Sequence, residues 1–289
     1  MLLLPSMEAS VIVPTRKRAG YLRVALESLA AQDVDPGSYE VVVVDDGPSA
    51  DTRAVTEEVA RSAPAPVRYV ERAGVPGLNS ARNTGVEASA APFVVFVDDD
   101  IDAPAGWLRE LLAGRERHPE AQVLGGPIEL RLEGSGLPMC GREAPPITTL
   151  DAGSEDREID VVWGANMGAD RRAFELAGMF DAGVPYGFDE DMWERRLRER
   201  GGKVMYVARA GLVHRRDRRD ARLGALMRAA YHRGRSLRRY IEHRGQAPSA
   251  ARELRVLAGC VSHIFRRRCG NGLLLTAHSA GRVRELLAR

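Results

Sequence analysis

The chain has 289 residues, 44% of them hydrophobic and 28% charged, and these values are typical of a globular protein with a sizeable core. No apolar stretch reaches about 18 residues, and the apolar run at 1–5 is too short for a signal peptide, so we expect neither a membrane span nor export. The three cysteines are odd in number and lack the spacing of zinc ligands. They predict a reducing, cytoplasmic environment and no disulfide framework.

The small net charge of +2 conceals an uneven distribution. Residues 215–289 hold 19 arginines, no lysine and five acidic residues, a net charge of +14, which leaves −12 for residues 1–214. A basic region beside an acidic one predicts an anionic partner or docking of one region on the other. An anionic membrane, met peripherally at its inner face, is one such partner. The arginines follow no nucleic-acid-binding motif, so we expect no nucleic acid.

The first hundred residues alternate between strand and helix patterns. Apolar, β-branched runs predict strands at 9–14, 39–44, 67–70 and 93–97, and helical spacing predicts helices at 20–32, 50–62 and 79–90. Such alternation is typical of an α/β fold in which helices cover both faces of a Rossmann-like, mostly parallel sheet. In these sheets, ligands bind at the carboxyl ends of the strands.

The rest of the chain is irregular at first and then helical. Glycines and prolines predict short strands and a long loop over 134–157, which we interpret as a candidate lid. Helices are expected at 171–177 and 190–201, a strand at 204–207, and helices from 218 onward. We therefore predict a sheet domain over 1–214 and a basic helical C-terminal region over 215–289 that packs on it.

Three consecutive acidic residues, Asp98, Asp99 and Asp100, follow the strand predicted at 93–97. Carboxylates crowded at the end of a buried strand repel one another and lose hydration, so they need a positive partner. A hard divalent cation with oxygen ligands meets this need. The alternative is an ordinary solvated loop.

Polar residues also follow the first two strands. The loop after the first strand can contact a nucleobase, ribose or phosphate, or it is an ordinary connection. The carboxylates after the second strand can accept hydrogen bonds from a base or a ribose, or they serve a turn and a helix cap. These candidates are Pro14, Thr15, Arg16, Arg18, Asp45 and Asp46.

Two further segments can line a cleft. Arg82, in the first turns of the helix at 79–90, can neutralise phosphate, or it is a solvated arginine. The segment that contains Trp163, Gly164 and Asn166 can form a pocket floor on which the indole stacks against a sugar ring, or it belongs to the core.

Two sites near the end of the sheet domain carry candidate chemistry. Glu190 or Asp191 can act as a general base if it points into the cleft, or the acids only favour the positive end of the helix dipole. His214 follows the strand at 204–207 and is either a metal ligand or an ordinary core or surface residue.

Taken in order, these segments resemble a family 2 glycosyltransferase of the GT-A fold over about residues 8–214. The resemblance rests on VIVPTRKR, VVVVDDG, GLNSARNTG, FVVFVDDDI, WGANMGADRRAFELAGMFD, DEDMWERRLRERG and His214. It implies inverting transfer of a sugar from a nucleoside-diphosphate sugar, most often a uridine diphosphate sugar, to an acceptor hydroxyl. The acceptor would be a saccharide, a lipid-linked molecule or a small natural product.

The resemblance also implies roles for the candidate residues. Asp98 and Asp100 would bind Mg²⁺ or Mn²⁺ across the diphosphate, and His214 would complete the metal site. Glu190 or Asp191 would be the catalytic base, and the motif leaves both open. The remaining candidates would bind the donor: Pro14, Thr15, Arg16, Arg18, Asp45, Asp46, Arg82 and Asp99 at the nucleotide, and Trp163, Gly164 and Asn166 at the sugar and acceptor.

Two other classes fit less well. A sugar-1-phosphate nucleotidyltransferase also uses a nucleotide, Mg²⁺ and an α/β sheet, but the sequence lacks the Gly-rich N-terminal loop that such enzymes use on a triphosphate. A non-catalytic carbohydrate-binding protein needs no acidic triplet together with a separate acidic helix start. The sequence therefore favours the glycosyltransferase.

Overall fold

The computed structural model describes residues 7–134, 140, 146–183 and 189–288, so the predicted lid at 134–157 lies partly outside the described residues. The strands are β1 (Ala9–Thr15), β2 (Tyr39–Asp45), β3 (Val67–Glu71), β4 (Phe93–Phe96), β5 (Ile101–Asp102), β6 (Val123–Gly125), β7 (Ile128–Leu132), β8 (Arg157–Glu158), β9 (Met167–Asp170), β10 (Val204–Tyr206) and β11 (Leu212–Arg216). The helices are α1 (Ala19–Ala30), α2 (Ala50–Ser62), α3 (Leu78–Ala88), α4 (Trp107–Arg117), α5 (Arg171–Ala177), α6 (Asp189–Glu199), α7 (Leu223–His243), α8 (Ala250–Arg267) and α9 (Asn271–Leu287).

The chain divides into two compact units, which we call the sheet unit and the helical unit. The described residues of the sheet unit lie within Met1–Glu129, Thr149–Val184 and Asp189–His214. Those of the helical unit lie within Leu130–Thr148 and Arg215–Arg289. That the C-terminal region packs on the sheet domain stays a prediction.

The sheet unit is built on an eight-stranded sheet in the order β3-β2-β1-β4-β9-β6-β10-β8. The pairs of β1 with β2, β1 with β4 and β2 with β3 are all parallel. The predicted α/β fold with a mostly parallel sheet is therefore confirmed. Strand β9 is an addition: it runs antiparallel between β4 and β6. Its sequence, MGAD, has no β-branched residue, so no strand was predicted there.

Two apolar layers enclose this sheet because successive strand residues face opposite sides. On β1, Val11 and Val13 belong to the layer that contains α1 and α2, whereas Ile12 belongs to the layer that contains α3 and α6. A methyl group on Gly85 would overlap the Ile12 side chain, so glycine is what lets α3 approach β1 so closely. The layers fix the carboxyl ends of β1, β2 and β4 side by side.

A second, smaller pairing places His214. In this pairing β11 runs antiparallel to β5, and His214 lies opposite Ile101. His214 is therefore inside a strand, not after one, and its partner strand begins directly after Asp100. The pairing of β11 with β5 therefore holds His214 close to the acidic triplet.

The helical unit has its own core, formed where α7 meets α9. Leu226, Ala230, Leu274 and Ala277 are buried there. A buried ion network adds to it: Arg238 pairs with Glu242 at 2.6 Å and with Glu253 at 3.2 Å. Among the described residues, no helix is both long and apolar enough to cross a membrane.

Candidate active site

The carboxyl ends of the parallel strands bring the first set of predicted residues together. In the register of β1 with β2, Thr15 lies opposite Asp45. The Thr15 hydroxyl donates a hydrogen bond of 2.7 Å to Oδ2 of Asp99, which follows β4. Residues predicted from three separate strand ends therefore form one continuous site.

The acidic triplet is partly neutralised by an arginine of the same site. Arg18 donates from Nη1 to Asp99 at 2.6 Å and from Nη2 to Asp100 at 2.7 Å. Burial raises the pKa of Asp99 to about 7 although Arg18 opposes this effect. Burial and the nearby charge of Asp100 also raise the pKa of Asp98. One arginine therefore balances only part of the negative charge of the three carboxylates.

Asp98, Asp100 and His214 form a set that suits a divalent cation. Nε2 of His214 lies 2.9 Å from Oδ1 of Asp100 and 3.8 Å from Oδ2 of Asp98. One ligand atom from each residue can be chosen so that all three lie within 4.8 Å of one another. Two carboxylates and an imidazole are ligands that Mn²⁺ accepts. The residues present therefore fit the metal that the sequence predicts.

The two carboxylates at the carboxyl end of β2, Asp45 and Asp46, have different hydrogen-bond partners. Oδ2 of the fully buried Asp45 accepts hydrogen bonds from the Tyr69 hydroxyl at 2.9 Å and the Ser49 amide at 3.0 Å. Its Oδ1 is buried and has no hydrogen-bond partner among the described residues. Asp46 instead pairs with Arg72 and accepts the Gly77 amide at 2.7 Å. Asp45 therefore keeps an acceptor for a ligand, whereas Asp46 fixes the loop before α3.

Arg82 lies in a buried ion network with the start of α6. Its Nη1 donates to Asp189, and its Nη2 donates to Oε1 of Glu190 at 2.7 Å. The Gly164 amide donates to the same Oε1 at 3.1 Å. Burial opposes ionisation of Glu190, but Arg82 and this amide outweigh it and lower the pKa of Glu190. The carboxylate is therefore ionised and fixed in direction.

The segment before β9 packs closely around this network. A methyl group on Gly164 would collide with Arg82 and lie 2.5 Å from Oε1 of Glu190. The Asn166 side chain accepts the Trp107 indole N–H at 2.9 Å and donates to the Ala210 carbonyl at 2.8 Å. Asn166 thus holds the fold around the site together.

The other candidates differ in exposure. Pro14 is buried in β1, Arg16 is exposed, and Trp163 is half-buried with its indole N–H on the Thr149 carbonyl at 3.2 Å. Asp191 is half-buried, one position beyond Glu190 on α6. The predicted donor-binding roles of Pro14, Arg16 and Trp163, and the role of Asp191 as a candidate base, stay predictions.

Sequence reasoning missed three supporting residues of this site. Asp189 shares Arg82 with Glu190, Arg72 holds Asp46, and Trp107 holds Asn166. The run Asp189-Glu190-Asp191 did signal a carboxylate cluster. Trp107 and Asn166 lie 59 positions apart, and no sequence pattern links them.

A mostly parallel sheet with polar side chains at the carboxyl ends of its strands defines the class of α/β proteins that bind ligands at that edge. Within that class, the family model described as "Glycosyl transferase family 2" matches residues 10–177 of the chain. The chain belongs to this family. The predicted resemblance is therefore confirmed.

Curated relatives match over parts of their length. The chain is 33% identical over 150 residues to a poly(ribitol-phosphate) beta-N-acetylglucosaminyltransferase, TarS, of Staphylococcus aureus, covering 50% of the chain and 25% of the relative. It is 27% identical over 273 residues to a pre-mycofactocin glycosyltransferase of Mycobacterium tuberculosis, covering 92% of the chain and 54% of the relative. The chain thus spans between a quarter and about half of these relatives.

Solved structures share the fold at low identity. A mannosyltransferase of Pyrobaculum calidifontis, solved with GDP-mannose and Mn²⁺, has a TM-score of 0.64 and 17% identity, covering 96% of the chain and 87% of that structure. Residues 1–349 of TarS, solved with UDP-GlcNAc, give a TM-score of 0.57 and 17% identity, with 98% and 93% covered. Both therefore support the GT-A-like fold of the chain.

Proposed function

We propose that this protein is a metal-dependent, inverting glycosyltransferase that uses a nucleoside-diphosphate sugar as donor. The observation that carries the proposal is the set of Asp98, Asp100 and His214 at the carboxyl edge of the sheet, in a member of glycosyl transferase family 2. We propose UDP as the nucleotide that carries the donor sugar. The TarS structure contains a UDP-sugar and the mannosyltransferase structure a GDP-sugar, so both belong among the donors to test.

The nucleotide would bind beside β1 and β2. Oδ1 of Asp45 is a buried acceptor that an N–H of the base or a ribose hydroxyl can satisfy. Thr15 and Arg18 are held beside it through Asp99 and Asp100. This arrangement supports a binding site that orients the diphosphate towards the triplet.

Asp98, Asp100 and His214 would hold Mn²⁺ or Mg²⁺. Such an ion supplies positive charge that stabilises the departing diphosphate. Arg82, for which the sequence predicts a phosphate contact, pairs through its two Nη atoms with Asp189 and Glu190. We therefore propose that Arg82 acts on catalysis by positioning Glu190.

We propose Glu190, in preference to Asp191, as the base that accepts the proton of the attacking acceptor hydroxyl. Glu190 contacts Gly164 and Arg82, and its charge acts on the pKa of Asp98 in the metal site. A base must lie within hydrogen-bond reach of the hydroxyl, at about 2.6–3.2 Å. We prefer Glu190 because its carboxylate is close enough to Asp98 to act on the pKa of that residue.

The reaction class is tested by incubating the full chain with a panel of UDP- and GDP-sugars, Mn²⁺ and candidate acceptors. Release of nucleoside diphosphate and inversion at the anomeric carbon are the expected results. Formation of pyrophosphate from a sugar 1-phosphate and a nucleoside triphosphate would identify a nucleotidyltransferase instead. Sugar binding without any product would identify a carbohydrate-binding protein.

We also propose that the helical unit meets an anionic membrane through α8, which would bring the enzyme to a lipid-linked acceptor. Leu254, Val261 and Phe265 are 54%, 38% and 77% exposed. Their spacing of seven and four residues places them on one face of the helix, and Arg255 and Arg266 are exposed next to that face. An exposed apolar face with basic neighbours is typical of a helix that lies in the plane of a membrane surface.

The other arginine group of the basic region is less suited to this contact. Arg235 and Arg239 both pair with Glu285, and Arg238 is buried with Glu242 and Glu253. Their charges are therefore compensated within the helical unit. The membrane proposal rests on α8 and the arginines at its end.

A further inference from the structure

Two of the three cysteines meet a histidine in the helical unit. His263 lies in the last turns of α8, and Cys269 follows the end of that helix, where Arg268 adopts a left-handed φ of 48°. Cys140 is 123 positions before the histidine. The fold alone therefore brings these three side chains together.

The distances among these groups match the geometry of a metal site. Sγ of Cys140 lies 3.4 Å from Nε2 of His263, and one ligand atom from each of the three residues lies within 4.8 Å of the others. In a tetrahedral zinc site, with bonds of about 2.3 Å to sulfur and 2.0 Å to nitrogen, a sulfur and a nitrogen ligand are about 3.5 Å apart. The observed separation needs almost no adjustment.

The surroundings of Cys269 favour a thiolate, which is the form that binds zinc. Its Sγ accepts the Cys140 amide at 3.2 Å and is buried. Desolvation raises the pKa of this thiol, but hydrogen bonds from Cys140, His263 and the Asn271 amide outweigh it and bring the pKa to about 6. These hydrogen bonds therefore favour the thiolate form of Cys269.

We propose that Cys140, His263 and Cys269 bind a zinc ion, which links Cys140 to the end of α8 and the residues that follow it. Cys140 is exposed, so a water molecule can take the fourth position. The spacing along the chain resembles no zinc motif, because one ligand is more than a hundred positions away from the other two. This inference is independent of the proposed transferase activity.

Cobalt substitution tests the proposal with a readout that the carboxylate site cannot give. The reduced, metal-free full chain is titrated with Co²⁺, and absorption bands from thiolate-to-metal charge transfer are recorded. We expect the bands to saturate as Co²⁺ is added and to disappear when Zn²⁺ is added. Cobalt bound by Asp98, Asp100 and His214 produces no thiolate band, because that set contains no sulfur.

Variants identify the ligands. C140S and H263A should each lose the thiolate band or weaken zinc binding at least tenfold. C260S is the control, because Cys260 lies on α8 but outside the proposed site, and it should keep the thiolate band and the zinc affinity of the wild type. C140S removes an exposed side chain and should fold, which thermal unfolding verifies. A reduced wild-type chain without the band, equal loss in C260S, or a Cys140–Cys269 disulfide in place of bound zinc would each overturn the proposal.

Discussion

At the scale of single residues, Glu190 and Asp191 are neighbours on α6 with different surroundings. Glu190 is held by Arg82 and Gly164, whereas Asp191 is half-buried. We expect E190Q to lower kcat at least about 100-fold, because glutamine keeps the hydrogen bonds but cannot accept the proton. D191N should change kcat less than about tenfold. Steady-state kinetics with the active donor measure both kcat values. A larger loss of kcat in D191N than in E190Q would assign the base to Asp191.

Gly164 is a residue whose missing side chain makes the ion network fit. In G164A the added methyl would collide with Arg82 and Glu190, so the pair must separate inside the protein. We expect a loss of about 1–3 kcal/mol in the free energy of unfolding, together with a lower kcat. G20A is the matched control, since nothing lies within 4 Å of the added methyl on α1. Urea unfolding measures both variants, and equal stability would contradict the packing argument.

Glu194 predicts a pH dependence of stability. Its Oε1 accepts the Val162 amide at 3.2 Å, and burial raises the pKa of Glu194 well above its usual value of 4.5. The folded state therefore binds more protons than the unfolded state above pH 4.5, and stability falls as pH rises towards the folded pKa, by at most about 1.4 kcal/mol per pH unit. E194Q should remove this slope, so its free energy of unfolding should rise relative to that of the wild type between pH 5 and pH 8. E199Q, at an exposed position of the same helix, should leave the slope of the wild type unchanged.

At the scale of elements, the amphipathic helix α8 gives a prediction for membrane binding. The wild-type chain should sediment with vesicles that contain anionic lipid, less so at high salt and hardly at all with neutral vesicles. The double variant L254S/F265S should bind at least about tenfold more weakly, because two exposed apolar side chains are lost. V75S is the control, since Val75 is 85% exposed in the sheet unit. Equal binding of all three chains would exclude α8 as the contact.

The elements also show what the sequence could and could not predict. The strands β1, β2, β3 and β4 were predicted within about one residue at each end, because each is rich in apolar and β-branched or aromatic residues. Strand β9 was missed because its glycine and alanine carry no strand signal, yet Gly168 is what lets it lie against the Phe93 ring. Local sequence describes an element well only when its own side chains fix its conformation.

At the scale of the whole molecule, two compact units with separate cores predict two thermal transitions. Nucleoside diphosphate with Mn²⁺ at about 100 times Kd should stabilise the sheet unit by about 2.7 kcal/mol, which corresponds to a rise in Tm of roughly 5–10 °C. The transition of the helical unit should not move. Calorimetry of the wild-type chain and of a D98N/D100N variant measures this. A shift that persists in the variant would contradict the metal site.

By itself, the sequence determined the α/β fold, the family and the set of polar strand ends at which the candidate site lies. It could do so because parallel strands place their carboxyl ends at one edge, so order along the chain implies proximity. Only the tertiary structure decided which side chains contact each other: Arg18 and the triplet, Arg82 and Glu190, and His263 and Cys140. These pairs join residues between 81 and 123 positions apart. Burial and distance, which no local pattern encodes, govern such interactions.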